Sequence, residues 1–119
     1  MTAPAQHGLT QLRDALRKFA DERDWDQYHS PKNLASALSV EAAELLERFQ
    51  WLTEDESRHL PPAELAKVRQ EMADVLNYLV RLADKLDVDL LDAARDKIVL
   101  NAQKYPVEKA RGSARKYSD

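Results

Sequence analysis

Apolar residues recur at spacings of three and four along most of the chain, which is the pattern of helices that bury one face. Leu12, Leu16 and Phe19 follow it in the first segment, so we predict a helix over about residues 10–23. Only two glycines occur among the 119 residues, so the chain lacks the glycines that tight turns between strands usually need. The pattern therefore predicts an all-α protein.

A capping signal starts the second helix. Ser30 precedes Pro31, and a serine side chain can accept a free backbone N–H while a proline ring suits the first helical turn. We predict that this helix ends near Gln50. The polar segment 53–62 contains two prolines and favours a loop or a short helical turn.

Two further helices complete the predicted bundle of about four main helices. The third and longest covers about residues 63–86, and Asp87 or Asp89 caps the fourth, which Pro106 ends. The polar residues that follow predict a tail that is extended, or ordered by a ligand or a neighbouring subunit. The predicted organisation is a flexible N-terminus at 1–9, a single domain at 10–106 and a tail at 107–119.

Two acidic pairs take the same position on consecutive helices. At about 100° per residue, Glu41 borders the apolar arc of the second helix with Glu44 beside it, and Glu71 with Asp74 repeats this on the third. We predict burial of both arcs: Leu34, Leu38, Ala42, Leu45, Leu46 and Phe49, and Leu65, Val68, Met72, Val75, Leu76, Leu79, Leu82 and Ala83. Packing of the two helices would gather four carboxylates at one seam, where repulsion and burial favour a bound divalent cation.

Mg²⁺ suits such a site, because it takes oxygen ligands and commonly shares carboxylates with substrate phosphates. The site thus predicts a phosphorylated ligand. The alternative is that the acids are solvated surface groups, since acidic pairs three residues apart arise by chance on charged helices. Their repetition at the core edge of two helices favours the metal site.

A polar stripe on the fourth helix carries Lys97, Asn101 and Lys104 at spacings of four and three. Their ammonium and amide groups could donate to the oxygens of a triphosphate. An ordinary solvated flank is the alternative, and it has nearly equal weight for Lys104.

Aromatic residues cluster where a pocket could open. Trp25, Tyr28 and Trp51 fall at helix ends or links, and Tyr78 lies beside Glu71 on the third helix. Aromatic faces can stack a nucleotide base. Core packing is the alternative for each ring in so small a domain.

Composition narrows the partners. The chain has no cysteine, a net charge of −3, no basic face and no apolar run long enough to cross a bilayer. We expect a cytoplasmic protein whose partners include neither a nucleic-acid polymer nor a membrane. A domain of this length buries only about two-thirds of its unfolded surface, so self-association would add burial.

These residues resemble the MazG-like all-α nucleoside triphosphate pyrophosphohydrolases. The mark of that family is Glu-x-x-Glu followed by Glu-x-x-Asp on the next long helix, and it is present as Glu41-Ala-Ala-Glu44 and Glu71-Met-Ala-Asp74. Within the family the chain is most similar to the dCTP pyrophosphatases, through the stretches FADERDWDQYHSPKNL, EAAELLERFQW, EMADVLNYLVRLAD and NAQKYPVEKARGSARKYSD.

The resemblance implies Mg²⁺-dependent hydrolysis of a nucleoside triphosphate, dCTP or a modified dCTP, to the monophosphate and pyrophosphate, as nucleotide-pool house-cleaning. Our own mechanistic hypothesis is that Glu41 or Glu44 takes the proton from the attacking water. Implied ligands of Mg²⁺ are Glu41, Glu44, Glu71 and Asp74. Implied substrate contacts are Trp25, His29, Trp51 and Tyr78. The resemblance also implies a homotetramer, with a homodimer as the smaller alternative.

One position departs from the family pattern and leaves the base preference open. Leu16 stands where animal dCTP pyrophosphatases have a histidine that approaches the nucleotide. The alternatives are a pyrophosphohydrolase of another nucleoside triphosphate or of phosphoribosyl-ATP, and a non-catalytic nucleotide-binding helical assembly.

Overall fold

The computed structural model describes residues 8–114, and over this range the protein is all-helical. Six α-helices and one 3₁₀ turn follow in chain order: α1 (Leu9–Glu22), the 3₁₀ turn (Asp26–Tyr28), α2 (Pro31–Glu47), α3 (Glu54–Arg58), α4 (Pro62–Lys85), α5 (Leu90–Lys104) and α6 (Val107–Ala110). Within residues 8–114, no helix has both the length and the hydrophobicity of a membrane span. The predicted flexible N-terminus at 1–9 and the end of the predicted tail fall largely outside the described residues.

The four long helices are those that the sequence pattern predicts, and two short ones add to them. α3 forms within the segment 53–62 because Thr53 and Glu56 make a capping box: each side chain accepts the other's backbone N–H. α6 occupies the start of the predicted tail. The structure has six α-helices over the described residues, so only the all-helical class is confirmed and the predicted count of about four main helices is not.

Aspartates end the helices where many proteins use glycine. Asp24 follows α1 and Asp87 follows α4, with φ of 53° and 54° in the left-handed region. At the helix starts, the side chains of Ser30 and Asp89 accept first-turn N–H groups, each at 3.1 Å. Of the two predicted caps of α5, Asp89 is the one that forms, and Asp87 terminates α4.

The structure divides between Asp87 and Val88 into two compact units. In the first unit α2 packs along α4, and α1 packs against α4. Contacts at two levels show that α2 and α4 run antiparallel: His29, just before α2, meets Arg81 late in α4, and Arg48 at the end of α2 meets Glu71. The second unit consists of α5 and α6.

The core of the first unit lies beside two of the acidic residues. Its buried apolar residues are Ala20, Leu34, Val68, Val80 and Ala83. Glu41 and Glu71 are half-buried, whereas their neighbours Ala42 and Met72 are exposed. The two glutamates therefore face the α2–α4 contact, rather than only bordering it as the sequence pattern predicts.

Part of the predicted apolar arc lies open to solvent, which corrects the prediction that the whole arc is buried. Leu46 on α2 and Leu65, Met72 and Leu76 on α4 are exposed. The arc is too wide for the helices of one chain to cover, because the inward-facing positions are shared with the glutamates. A single chain thus leaves an apolar strip on both helices.

An arginine–aspartate pair fastens α1 to α4. Arg17 donates through Nε and Nη2 to the two carboxylate oxygens of Asp84, at 2.7 and 2.5 Å. This two-pronged geometry is the strong form of a charged hydrogen bond. The hydrogen bond from Arg17 holds the pKa of Asp84 below its ordinary value.

Replacement Asp84→Asn should lower the free energy of unfolding by about 1–2 kcal/mol at neutral pH. Because the folded-state pKa of Asp84 is lowered, this stabilisation is present above the ordinary aspartate pKa and is lost as pH falls through the folded-state value. Denaturant unfolding at neutral and acidic pH should therefore show the variant and the wild type converging in acid. Asp14→Asn, which alters an exposed ion pair of α1, should cost little at either pH; an equal loss in both variants would contradict the expectation.

Candidate functional site

Three carboxylates meet where α2 packs along α4. Glu41, Glu44 and Glu71 each offer one oxygen, and these oxygens all lie within 4.8 Å of one another. The spacing of three places Glu41 and Glu44 on the same side of α2. Because α4 runs antiparallel beside α2, Glu71 comes to face that pair. The group is a set of oxygen ligands of the kind that Mg²⁺ binds.

The electrostatics of this cluster favour a cation. The Oε2 atoms of Glu41 and Glu71 are buried and have no hydrogen-bond partner among the described residues. A hydrogen bond shared with Glu44, then burial, then the charges of Glu44, Asp74 and Glu71 raise the pKa of Glu41 to about 7. Arg48 places Nη2 3.8 Å from Oε1 of Glu71, so one arginine faces several acids. Negative charge at the cluster exceeds the positive charge around it.

Asp74 stands apart from the other predicted ligands. It is exposed on α4 and is not one of the three carboxylates within 4.8 Å. Its negative charge still contributes to raising the pKa of Glu41. Its role as a fourth ligand therefore stays a prediction.

The aromatic residues do not fill a core in the single chain. Trp51 is 87% exposed and Tyr28 is 62% exposed, which removes the packing alternative for these two rings within one chain. Trp25 is also exposed and sets its ring edge-on to Phe19, with centroids 5.7 Å apart. Tyr78 is half-buried on α4, one turn beyond Asp74. Surfaces of this kind remain available to a base or to a second subunit.

His29 has a partner that the sequence analysis missed. Arg81 of α4 is buried, and its guanidinium lies 3.1 Å (Nη2) and 3.3 Å (Nε) from Nδ1 of His29. The contact joins residues 52 apart in the sequence, so local spacing along α4 carries no signal for it. Arg48 was missed as well.

The predicted phosphate-binding residues lie on the second unit. Lys97, Asn101 and Lys104 are exposed along α5. Their helical spacing places them on one side of that helix. Their contact with phosphate stays a prediction.

Comparison with known proteins places this arrangement in a family. Residues 36–119 match the MazG-like family, a range that includes the three clustered glutamates. The chain belongs to the MazG-like family. This MazG-like chain is 47% identical over 113 residues to dCTP pyrophosphatase 1 of Mus musculus and 44% identical over 113 residues to dCTP pyrophosphatase 1 of Homo sapiens. In both cases the match covers 93% of this chain and 66% of the relative, just under two thirds of its length.

The fold of the MazG-like chain is also found in a solved structure. A pyrophosphatase from Archaeoglobus fulgidus superposes with a TM-score of 0.79 at 41% sequence identity, over 89% of this chain and 99% of that chain. The predicted family and the predicted all-α class are therefore confirmed.

Addition of Mg²⁺ or Mn²⁺ should raise the melting temperature of the protein, and Glu41→Gln or Glu71→Gln should remove most of that rise. A cation at a hundred times its Kd adds about 2.7 kcal/mol to the free energy of unfolding. Since each substitution removes one charge from a repelling cluster, both variants without metal should be at least as stable as the wild type.

Thermal unfolding with metal or with chelator measures both effects. Glu47→Gln makes the same chemical change at an exposed position of α2 and should keep the wild-type response. Equal metal responses in all four proteins would exclude the cluster as the binding site.

Proposed function

We propose that the protein hydrolyses nucleoside triphosphates between the α and β phosphates, in a Mg²⁺-dependent reaction, with dCTP or a modified dCTP as substrate. The observation that supports this most strongly is the cluster of Glu41, Glu44 and Glu71, with two buried oxygens that lack partners, in a MazG-like chain. The relatives named dCTP pyrophosphatase 1 suggest the substrate.

The residues present fit a magnesium ion. All the ligand atoms are carboxylate oxygens, two are buried without a hydrogen bond from the described residues, and the cluster carries more negative charge than Arg48 offsets. Glu41, Glu44 and Glu71 would hold the cation, with Asp74 as the further ligand. When bound, the cation would neutralise phosphate charge and lower the pKa of a water molecule that it binds.

Glu41 and Glu44 are suited to manage the proton of the reaction. A water oxygen bonds to the α-phosphorus while the bond from that phosphorus to the bridging oxygen breaks and pyrophosphate leaves. The water loses a proton in this step. Glu41 and Glu44 offer carboxylate oxygens within 4.8 Å of each other in the cluster, so either residue is placed to accept that proton.

The remaining predicted residues divide between the two ends of the nucleotide. We assign the nucleoside end to the aromatic residues and the histidine: Trp25, Tyr28, His29, Trp51 and Tyr78. Their exposed or half-buried rings offer faces for stacking. We assign the phosphates to Lys97, Asn101 and Lys104, which supply two positive charges and an amide donor.

Release of pyrophosphate and monophosphate should be equimolar and should require Mg²⁺, when measured across canonical and modified nucleoside triphosphates and phosphoribosyl-ATP. dCTP or a modified dCTP should give the highest kcat/KM. Monophosphate released with free phosphate would contradict α–β cleavage, and preference for another member of the panel would contradict the cytosine assignment. Tight nucleotide binding with no product would favour the non-catalytic assembly.

Variants assign the roles. Glu41→Gln and Asp74→Asn should abolish turnover while preserving helical circular dichroism, whereas Glu47→Gln should retain activity. Lys97→Ala should mainly raise KM, because it removes a charge that binds the substrate before and during the reaction. Full activity in Glu41→Gln would contradict the site.

We also propose that the protein forms a homotetramer, or at least a homodimer, through its exposed apolar strip. Leu65, Met72 and Leu76 lie seven and four residues apart on α4, which places them on one side of the helix. Leu46 adds to this surface from α2. Contact with a second copy would bury surface that one small domain leaves in water.

Replacement Leu65→Glu should shift the protein toward monomer. The new charge opposes burial between copies, and it does not disfavour the helix, because acids in the first turn of α4 interact well with the helix dipole. Light scattering coupled to size exclusion measures the mass. Gln70→Glu adds the same charge at another exposed position of α4 and should leave the mass unchanged; a monomeric wild type would contradict the assembly.

A further inference from the structure

Arg81 is a buried cation at some distance along α4 from the carboxylate cluster. Its side chain is 6% exposed. It donates through Nη2 to Asp26 at 2.9 Å and lies 3.5 Å from Asp84, while Nε and Nη2 both approach Nδ1 of His29. Burying an arginine costs free energy unless its N–H groups donate hydrogen bonds. These contacts therefore offset the cost of burying Arg81.

Asp26 and Asp84 each have a second cationic partner besides Arg81, whereas Nδ1 of His29 has no second donor among the described residues. Asp26 accepts from Lys85 at 2.5 Å, and Asp84 accepts from Arg17. Loss of the Arg81 guanidinium would therefore leave each acid paired. Among the hydrogen bonds of the described residues, the contact to Nδ1 of His29 is the one that only Arg81 supplies.

The guanidinium decides the tautomer of His29. An arginine side chain donates hydrogen bonds and cannot accept them, so Nδ1 of His29 must be the acceptor. In a neutral imidazole the proton is then on Nε2. Burial, and secondarily the positive charge of Arg81, lower the pKa of His29, while Asp26 opposes this and Lys85 adds to it.

The segment that carries His29 is tied to three helices. Trp25 donates its backbone N–H to the carbonyl of Ala20 in α1, at 2.9 Å. Asn33 of α2 donates to the carbonyl of Tyr28 at 3.0 Å. Arg81 adds the tie to α4. A segment fixed in this way can hold an oriented donor with little loss of conformational entropy on binding.

We propose that Arg81 is a positioning residue that fixes His29 as the Nε2–H tautomer, so that His29 presents a hydrogen-bond donor to an acceptor atom of the nucleotide. The second part rests on the proposed function, in which His29 contacts the substrate. The tautomer itself is independent of that function. A fixed tautomer would let His29 discriminate between nucleotides. Its Nε2–H favours a ligand that has a hydrogen-bond acceptor at that place and disfavours one that has a donor there.

Nitrogen-15 spectra of histidine-labelled protein at neutral pH test the tautomer. Wild-type His29 should carry its proton on Nε2, Arg81→Met should populate both tautomers, and Arg81→Lys should recover part of the wild-type signal because it restores one donor. Arg95→Met removes an exposed arginine that also has an aspartate three residues away, and it should leave His29 unchanged. The signal of His59, whose Nδ1 faces the carbonyl of Asp55, should not respond to any of these variants.

A proton on Nδ1 of wild-type His29, or identical His29 spectra in the wild type and Arg81→Met, would overturn the proposal. The wild-type spectrum decides the tautomer even where a variant fails to fold. Resonances are assigned with His29→Gln.

Kinetics test the donor. The amide nitrogen of His29→Gln can take the place of Nε2, whereas that of His29→Asn takes the place of Nδ1. His29→Gln should therefore keep a lower KM than His29→Asn, by roughly tenfold. Arg81→Lys should raise KM with little change in kcat, and the reverse ranking of Gln and Asn would contradict the donor role. Absence of product from the wild type would refute the proposed function and leave the tautomer result standing.

Discussion

Repulsion between carboxylates is the constraint around which the first unit is arranged. Glu41, Glu44 and Glu71 lie within a few ångströms of one another at the α2–α4 contact, where apolar packing would otherwise be expected. Repulsion of this kind opposes folding unless a cation offsets it. Other contacts hold the helices together on either side of the cluster: Leu34, Val80 and Arg81 are buried on one side, and Val68 is buried on the other. Stability at the ends of the helix pair thus permits an unfavourable arrangement at its middle.

The same constraint explains the open apolar surface. Each glutamate that faces inward takes a position that a leucine would fill in an ordinary helix pair, so apolar residues such as Met72 are displaced toward solvent. The charged site and the exposed apolar strip are therefore two results of the same orientation of α2 and α4.

Local signals made much of the fold predictable. Ser30–Pro31 and Asp89 start helices by short-range capping chemistry, which depends on neighbours in sequence alone. The structure brings three of the four carboxylates singled out by their spacing close together. The exposure of Asp74 and the burial of Arg81 could not be derived in this way. Both depend on the rotation of α4 against its neighbours, which a helical wheel leaves undetermined because its apolar arc is wider than the buried face.

The length of α4 has a consequence of its own. Ten residues separate Glu71, which faces the carboxylate cluster, from Arg81, which fixes the segment before α2, and at about 1.5 Å per residue they lie roughly 15 Å apart along one uninterrupted helix. Inserting or deleting one residue between them would turn one group by about 100° relative to the other. α4 therefore sets both the distance and the relative direction of the two groups, so a change of register within it would disturb one group or the other.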